Sequence, residues 1–138
     1  MKSLTLLGFD YGLRHIGVAV GQTVTKTAKP LCALKARDEI PPWEQIAEII
    51  REWRPDALIV GLPLNMGGTE QSITKKARKF AEQLGERFKL PVYFSDERLT
   101  TIEAKNQIFS KNGYRGLKKS AIDAVSAQII LESWMNKD

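Results

Sequence analysis

Three short apolar segments lie within the first 35 residues, and the intervals between them are too short to hold a helix. Leu4 to Phe9 is apolar and ends at an acid, Ile16 to Val20 is rich in β-branched residues between glycines, and a weaker segment runs through about Leu31 to Leu34. Strands this close together pair through hairpins, because a parallel connection needs a crossover of about a dozen residues or more. Gly12 and Gly17 near one turn and Pro30 near the next supply the turn chemistry. No helical pattern fits between Asp10 and Pro30, so the chain cannot open with the βαβ unit of a dinucleotide-binding fold.

The remainder alternates. Pro41-Pro42 favours helix initiation, Ile46, Ile49, Ile50 and Trp53 recur at the spacing of one buried helical face, and Pro55 stops the run. Ala57-Leu58-Ile59-Val60 before Gly61 has the continuous apolar pattern of a parallel strand buried on both faces. Its exit, Gly61 to Thr69, mixes glycine, proline and asparagine, as a functional loop or a plain connector would. Ile73, Ala77, Phe80, Ala81, Leu84 and Phe88 form the stripe of a long helix, with Lys75 and Lys79 on another face. Pro91 to Phe94 makes a fifth strand. Thr100 to Glu103 and Ser120 to Asp123 each carry capping-box spacing, the second before a last helix reaching about Trp134. The order β-β-β-α-β-α-β-α-α predicts an α/β protein of ribonuclease-H-like order, a five-stranded mixed sheet with three antiparallel strands then parallel ones, flanked by helices.

A chain of 138 residues without a repeat or a Pro/Gly/Ser-rich linker is expected to form a single domain over residues 1–138. Cys32 is the only cysteine and His15 the only histidine, which excludes an internal disulfide and a Cys/His zinc site; Cys32 reads as a buried small hydrophobe and His15 as a turn or surface group. No apolar run nears the roughly 20 residues that span a bilayer, and the start lacks a signal-peptide pattern, so a cytoplasmic protein without membrane contact is expected. Twenty-one Lys and Arg against 16 Asp and Glu give a net charge of +5, which suits a polyanionic partner. The segment Lys111 to Lys119 holds Lys111, Arg115, Lys118 and Lys119 with Tyr114 and no acid, a basic loop for nucleic acid or a solvated one.

Three acids stand where acids are costly. Asp10 ends the first strand between glycines, where it can reach a cation or simply turn the chain. Glu97, in Ser95-Asp96-Glu97-Arg98, follows the fifth strand and is a ligand or part of a solvated turn. Asp123 lies in a helix apolar on nearly every side, so its charge needs a partner, which the helix N-terminus could itself provide. The topology can bring all three to one end of the sheet. Oxygen-only ligation selects Mg²⁺ or Mn²⁺, and such ions support in-line phosphodiester hydrolysis without a catalytic histidine. No Gly-x-Ser-x-Gly nucleophile motif is present.

Phe9-Asp10-Tyr11-Gly12, Gly17-Val18-Ala19-Val20, Val60 to Asn65, Asp96 to Thr101 and Asp123-Ala124-Val125-Ser126-Ala127, in this order, closely resemble the bacterial YqgF (RuvX) family nearly end to end. The resemblance implies a ribonuclease-H-like fold related to the RuvC Holliday-junction resolvase, a cytoplasmic nuclease, and a role in maturing the 5′ end of pre-16S ribosomal RNA. It also implies Asp10, Glu97 and Asp123 as catalytic, metal-binding acids, with Asp96 and Arg98 beside them, Arg98 on the nucleic-acid side, and Asn65, Gly67 and Gly68 bordering the site. The chain departs from RuvC at Gly61-Leu62-Pro63, where RuvC has its second acid, so Glu97 must serve from the neighbouring strand. It also has one helical carboxylate fewer, which bears on whether one or two metal ions are held.

The leading expectation is a metal-dependent endonuclease whose basic loop, Lys75 and Lys79 hold the phosphate backbone and whose Tyr114 stacks on a base. A branched-DNA resolvase and a non-catalytic nucleic-acid-binding module are the alternatives. An actin-like sugar kinase, suggested by Asp10-Tyr11-Gly12, would need two domains and is disfavoured by length. The sequence leaves the oligomeric state open.

Overall fold

A computed structural model describes residues 3–63, 71–96 and 119–137. Strands β1 (Thr5–Asp10), β2 (His15–Gln22) and β3 (Thr27–Lys35) are followed by helix α1 (Trp43–Trp53), β4 (Ala57–Leu62), α2 (Ser72–Phe88), β5 (Val92–Asp96) and α3 (Lys119–Asn136). The expected helix near Thr100 to Glu103 lies outside the described residues. The sheet order is β3-β2-β1-β4-β5. β1 pairs antiparallel with β2 and β2 with β3, whereas β1 with β4 and β4 with β5 are parallel, the mixed sheet expected from the spacing. The carboxyl ends of β1, β4 and β5 therefore share one edge.

Side-chain alternation divides the core in two. Leu7, Phe9, Val18, Leu58 and Val60 face Ile46 of α1 and Phe80 and Leu84 of α2, while Leu6, Ala19, Ala57 and Ile59 face Ala127, Ile130 and Leu131 of α3. α3 is buried along most of its length, because it lies directly on the sheet. Glycines in the strands let it come close: a Cβ on Gly8 would sit 2.9 Å from Cβ of Leu131. The Gln128 amide donates to the Ala28 carbonyl at 2.9 Å and Glu132 accepts from the Ala28 N–H at 2.9 Å, so α3 also covers backbone of the edge strand β3.

β3 is longer than its apolar signal. Its first four residues are mostly exposed, and Pro30 is accommodated because the strand is at the sheet edge and the register slips between Val18 and Ala19. α1 ends at Arg54, in the left-handed region at φ 45°, just before Pro55. At the start of α2, Gln71 and Thr74 form a capping box, and the buried Thr74 hydroxyl also donates to the Pro63 carbonyl, tying the helix to the exit of β4. Ser120, whose spacing to Asp123 suggests a capping box, falls within α3 at its described start.

Candidate functional site

The carboxyl end of β1 holds Asp10, and the backbone of α3 comes down beside it at Asp123. Asp10 pairs with Gly17 across the β1–β2 ladder, and directly opposed residues of antiparallel strands project to the same face. Gly17 has no side chain because α3 occupies that space: a Cβ there would lie 1.9 Å from the carbonyl oxygen of Asp123 and 3.2 Å from the amide nitrogen of Ala124. The backbone at Asp123 is thus seated on the residue opposite Asp10. Asp10 and Asp123, far apart in sequence, share one face and one edge, and both are half-buried, with Asp123 Oδ2 shielded from water.

β5 reaches the same edge. Its last residues pair Gly61 with Ser95 and Leu62 with Asp96. Tyr93 is on the α3 face, its ring stacked 5.5 Å from that of Trp134, and alternation puts the buried Ser95 there too and Asp96 on the other face. Glu97, Arg98, Asn65, Gly67, Gly68, Lys111, Tyr114, Arg115 and Lys118 lie outside the described residues; Lys119 opens α3. Among the described residues no three His, Cys, Asp or Glu side chains are grouped to hold a metal ion. Of the three predicted acids, Asp10 and Asp123 are among the described residues.

Lys75 and Lys79 are exposed on α2, which covers the face opposite Asp10 and α3. They are not brought to the acids' face. Lys79 instead borders a cavity with Tyr11, Trp43, Lys76 and Arg87, a grouping that sequence spacing does not reveal because its members come from the residue after β1, from α1 and from α2. Tyr11 adjoins Asp10 but belongs to this other face, and burial pushes its phenol up while Lys76 pulls it down. His15, expected as a turn or surface group, is the half-buried first residue of β2 and shares the parity of Gly17, hence the face of Asp10. Cys32, expected as a buried small hydrophobe, is half-buried in the edge strand, and burial pushes its thiol up. No helix among the described residues is long and apolar enough to cross a membrane.

The family model described as RuvX, Holliday junction resolvase, matches residues 4–137. A Haemophilus ducreyi protein named "Putative pre-16S rRNA nuclease" is 58% identical over 134 residues, which cover 97% of each chain. An Aeromonas hydrophila protein of the same name is 56% identical over 137 residues, 99% of this chain and 98% of its own. Among solved structures, T. thermophilus RuvC in complex with Holliday junction substrate superposes with a TM-score of 0.56 at 18% identity, covering 96% of this chain and 93% of that one. At that identity the likeness speaks for the fold, which is ribonuclease-H-like.

Proposed function

This chain belongs to the RuvX family, and from that premise we propose that it is a divalent-metal-dependent endonuclease that hydrolyses phosphodiester bonds in the precursor of 16S ribosomal RNA. The single observation that carries the site is the seating of Asp123 on Gly17, opposite Asp10. Two carboxylates on one face would repel a phosphodiester, so a cation between them and the substrate reconciles the site with a polyanion. Their oxygens suit Mg²⁺ or Mn²⁺, with Glu97, which follows β5 directly, as third ligand. A bound ion of this kind supplies Lewis acidity toward a phosphate oxygen and lowers the pKa of the attacking water.

Asp10 and Asp123 hold that charge and orient it. Lys75, Lys79, Arg98, Lys111, Arg115, Lys118 and Lys119 hold the backbone, and Tyr114 stacks on a base. The residues 1–138 act as one domain in the cytoplasm, where precursor ribosomal RNA is met. The substrate is supported by the names of relatives more than half identical to this chain; branched DNA is the second reading, supported by the family's description.

The test incubates the wild type, Asp10→Asn and Asp123→Asn with precursor ribosomal RNA, single-stranded RNA and a four-way DNA junction, each with Mg²⁺, Mn²⁺ or chelator. Cleavage of the precursor by the wild type alone, lost with chelator, is expected, with binding retained in both variants. Preferential cutting of the junction would transfer the assignment to branched DNA. Equal cleavage by all three proteins would remove the acids from the mechanism, and binding without cleavage would leave a recognition module.

A further inference from the structure

Across the sheet edge from the acids, the residue after Asp10 opens a second site. A cavity of about 420 Å³ lies between the end of β1, the approach to α1, and α2, and its walls include Tyr11, Trp43 and Phe80 together with Lys76, Lys79 and Arg87. That volume falls in the range of roughly 300–1,000 Å³ usual for small-molecule sites. Phe80 is fully buried and forms a floor, with the Tyr11 ring 5.1 Å and the Trp43 ring 5.7 Å from it, centre to centre. Tyr11 and Trp43 are only half-buried and both line the cavity. The Arg87 guanidinium lies 4.3 Å over the Trp43 ring, and Lys76 and Lys79 are exposed along the same helix.

Three cations face one acid, Glu39, among the described lining residues. The excess of positive charge calls for an anion, and the aromatic lining suits a flat ring. A nucleotide carries both. We propose that this cavity is a subsite for one nucleotide, with its base against Tyr11 and Trp43 and its phosphate on Lys79 and Arg87. A strand crossing the carboxyl end of β1 would have one phosphodiester beside Asp10 and an unstacked neighbour in the cavity, since Asp10 shares the α3 face while Tyr11 packs with Phe80 on the other. This choice of strand as the source rests on the nuclease function proposed above; a free nucleotide offers the same chemistry.

Glu39 guards the rim. Arg37 and Ile40 close a two-residue turn by backbone hydrogen bonds of 3.2 and 2.8 Å, and both central residues, Asp38 and Glu39, are in the left-handed region at φ 52° and 64°. The turn sets the Glu39 carboxylate on the Lys76 ammonium, with which it is ion-paired and hydrogen-bonded. A phosphate held on Lys79 and Arg87 meets the Glu39 carboxylate as a like charge in the same lining.

The test titrates adenosine 5′-monophosphate, ribose 5-phosphate, adenosine and a short single-stranded RNA into the ¹⁵N-labelled full chain, following the three indole N–H resonances, with that of Trp43 assigned by Trp43→Phe. The monophosphate should move the Trp43 signal and leave those of Trp53 and Trp134 in place, and should bind about tenfold more tightly than ribose 5-phosphate or adenosine. Lys79→Ala combined with Arg87→Ala should weaken it by about tenfold or more, the worth of one charge-assisted hydrogen bond, and Glu39→Gln should tighten it. A still Trp43 signal, or equal affinity for ribose 5-phosphate, would overturn the subsite. A Trp43 shift with the RNA assigns the strand as the source; a shift with the mononucleotide alone assigns the free ligand and overturns the strand. Repeating the titration on Asp10→Asn reads the cavity without cleavage, so failure of the nuclease reading and failure of the subsite are distinguishable.

Discussion

Asp10 and Gly17 face each other across the β1–β2 ladder, and Gly17 is the point at which the backbone of α3 comes down at Asp123. A methyl group at residue 17 has to displace backbone, not a flexible side-chain end. Gly17→Ala is therefore expected to lower stability by about 1–3 kcal/mol or more, as overpacking does, and to reduce cleavage further than the loss of folded protein explains. Urea unfolding and activity per folded molecule separate the two effects. An alanine variant with wild-type stability and cleavage would mean that α3 is not seated as described.

Gly85 gives the opposite expectation. It lies inside α2, and a Cβ there would meet its nearest neighbour, Val92 Cγ2, at an ordinary 3.5 Å. Gly85→Ala should raise stability by about 0.4–1 kcal/mol, because alanine restricts the unfolded chain and suits a helix interior. The denaturation midpoint should rise with an unchanged slope; a fall would show that the space beside Val92 is tighter than 3.5 Å implies.

These two glycines show where sequence reading succeeds and stops. The strands and helices are legible because their signals are local: apolar runs, the Ile46 to Trp53 stripe and prolines at element ends. The first half of β3 is not, since Thr27 to Pro30 is largely exposed and owes its strand geometry to pairing with β2. Asp10 is legible as an acid ending a strand. That Gly17 lies opposite it beneath Asp123 is not, because a close approach of two backbones leaves no mark beyond a glycine. The same holds for the cation-lined cavity, where Glu39 and Lys76 meet from 37 residues apart.

Three groups make the fold sensitive to alkali. Burial pushes the Cys32 thiol and the Tyr11 phenol up, and the hydrogen bond from Lys76 to Glu39 holds that ammonium above its ordinary range. Each keeps its proton more firmly in the folded than in the unfolded chain. The folded state then binds more protons once pH passes the unfolded values, so stability is fully present below them and falls as pH rises from about 9 upward. Denaturant midpoints measured from neutral pH into this window should decline, and Cys32→Ala should decline less steeply in its first part. A midpoint that rises there would contradict the sign.

Salt dependence tests which cations touch the nucleic acid. Lys79 is exposed on α2, on the face away from Asp10, whereas the acids stand on the α3 face, so its contact with a bound strand requires the strand to wrap the carboxyl edge of the sheet. Each phosphate contact contributes about 0.9 to the magnitude of the log K against log salt slope for a duplex and about 0.7 for a single strand. Lys79→Ala should thus lower the single-strand slope by about 0.7 and weaken binding to all sequences alike. Removing Lys111, Arg115, Lys118 and Lys119 together should lower it by about 2.8 if all four neutralise phosphates. Fluorescence anisotropy of labelled RNA across a salt series measures both. A slope unchanged by Lys79→Ala would confine the strand to the acids' face, since a cation that releases no counterions neutralises no phosphate.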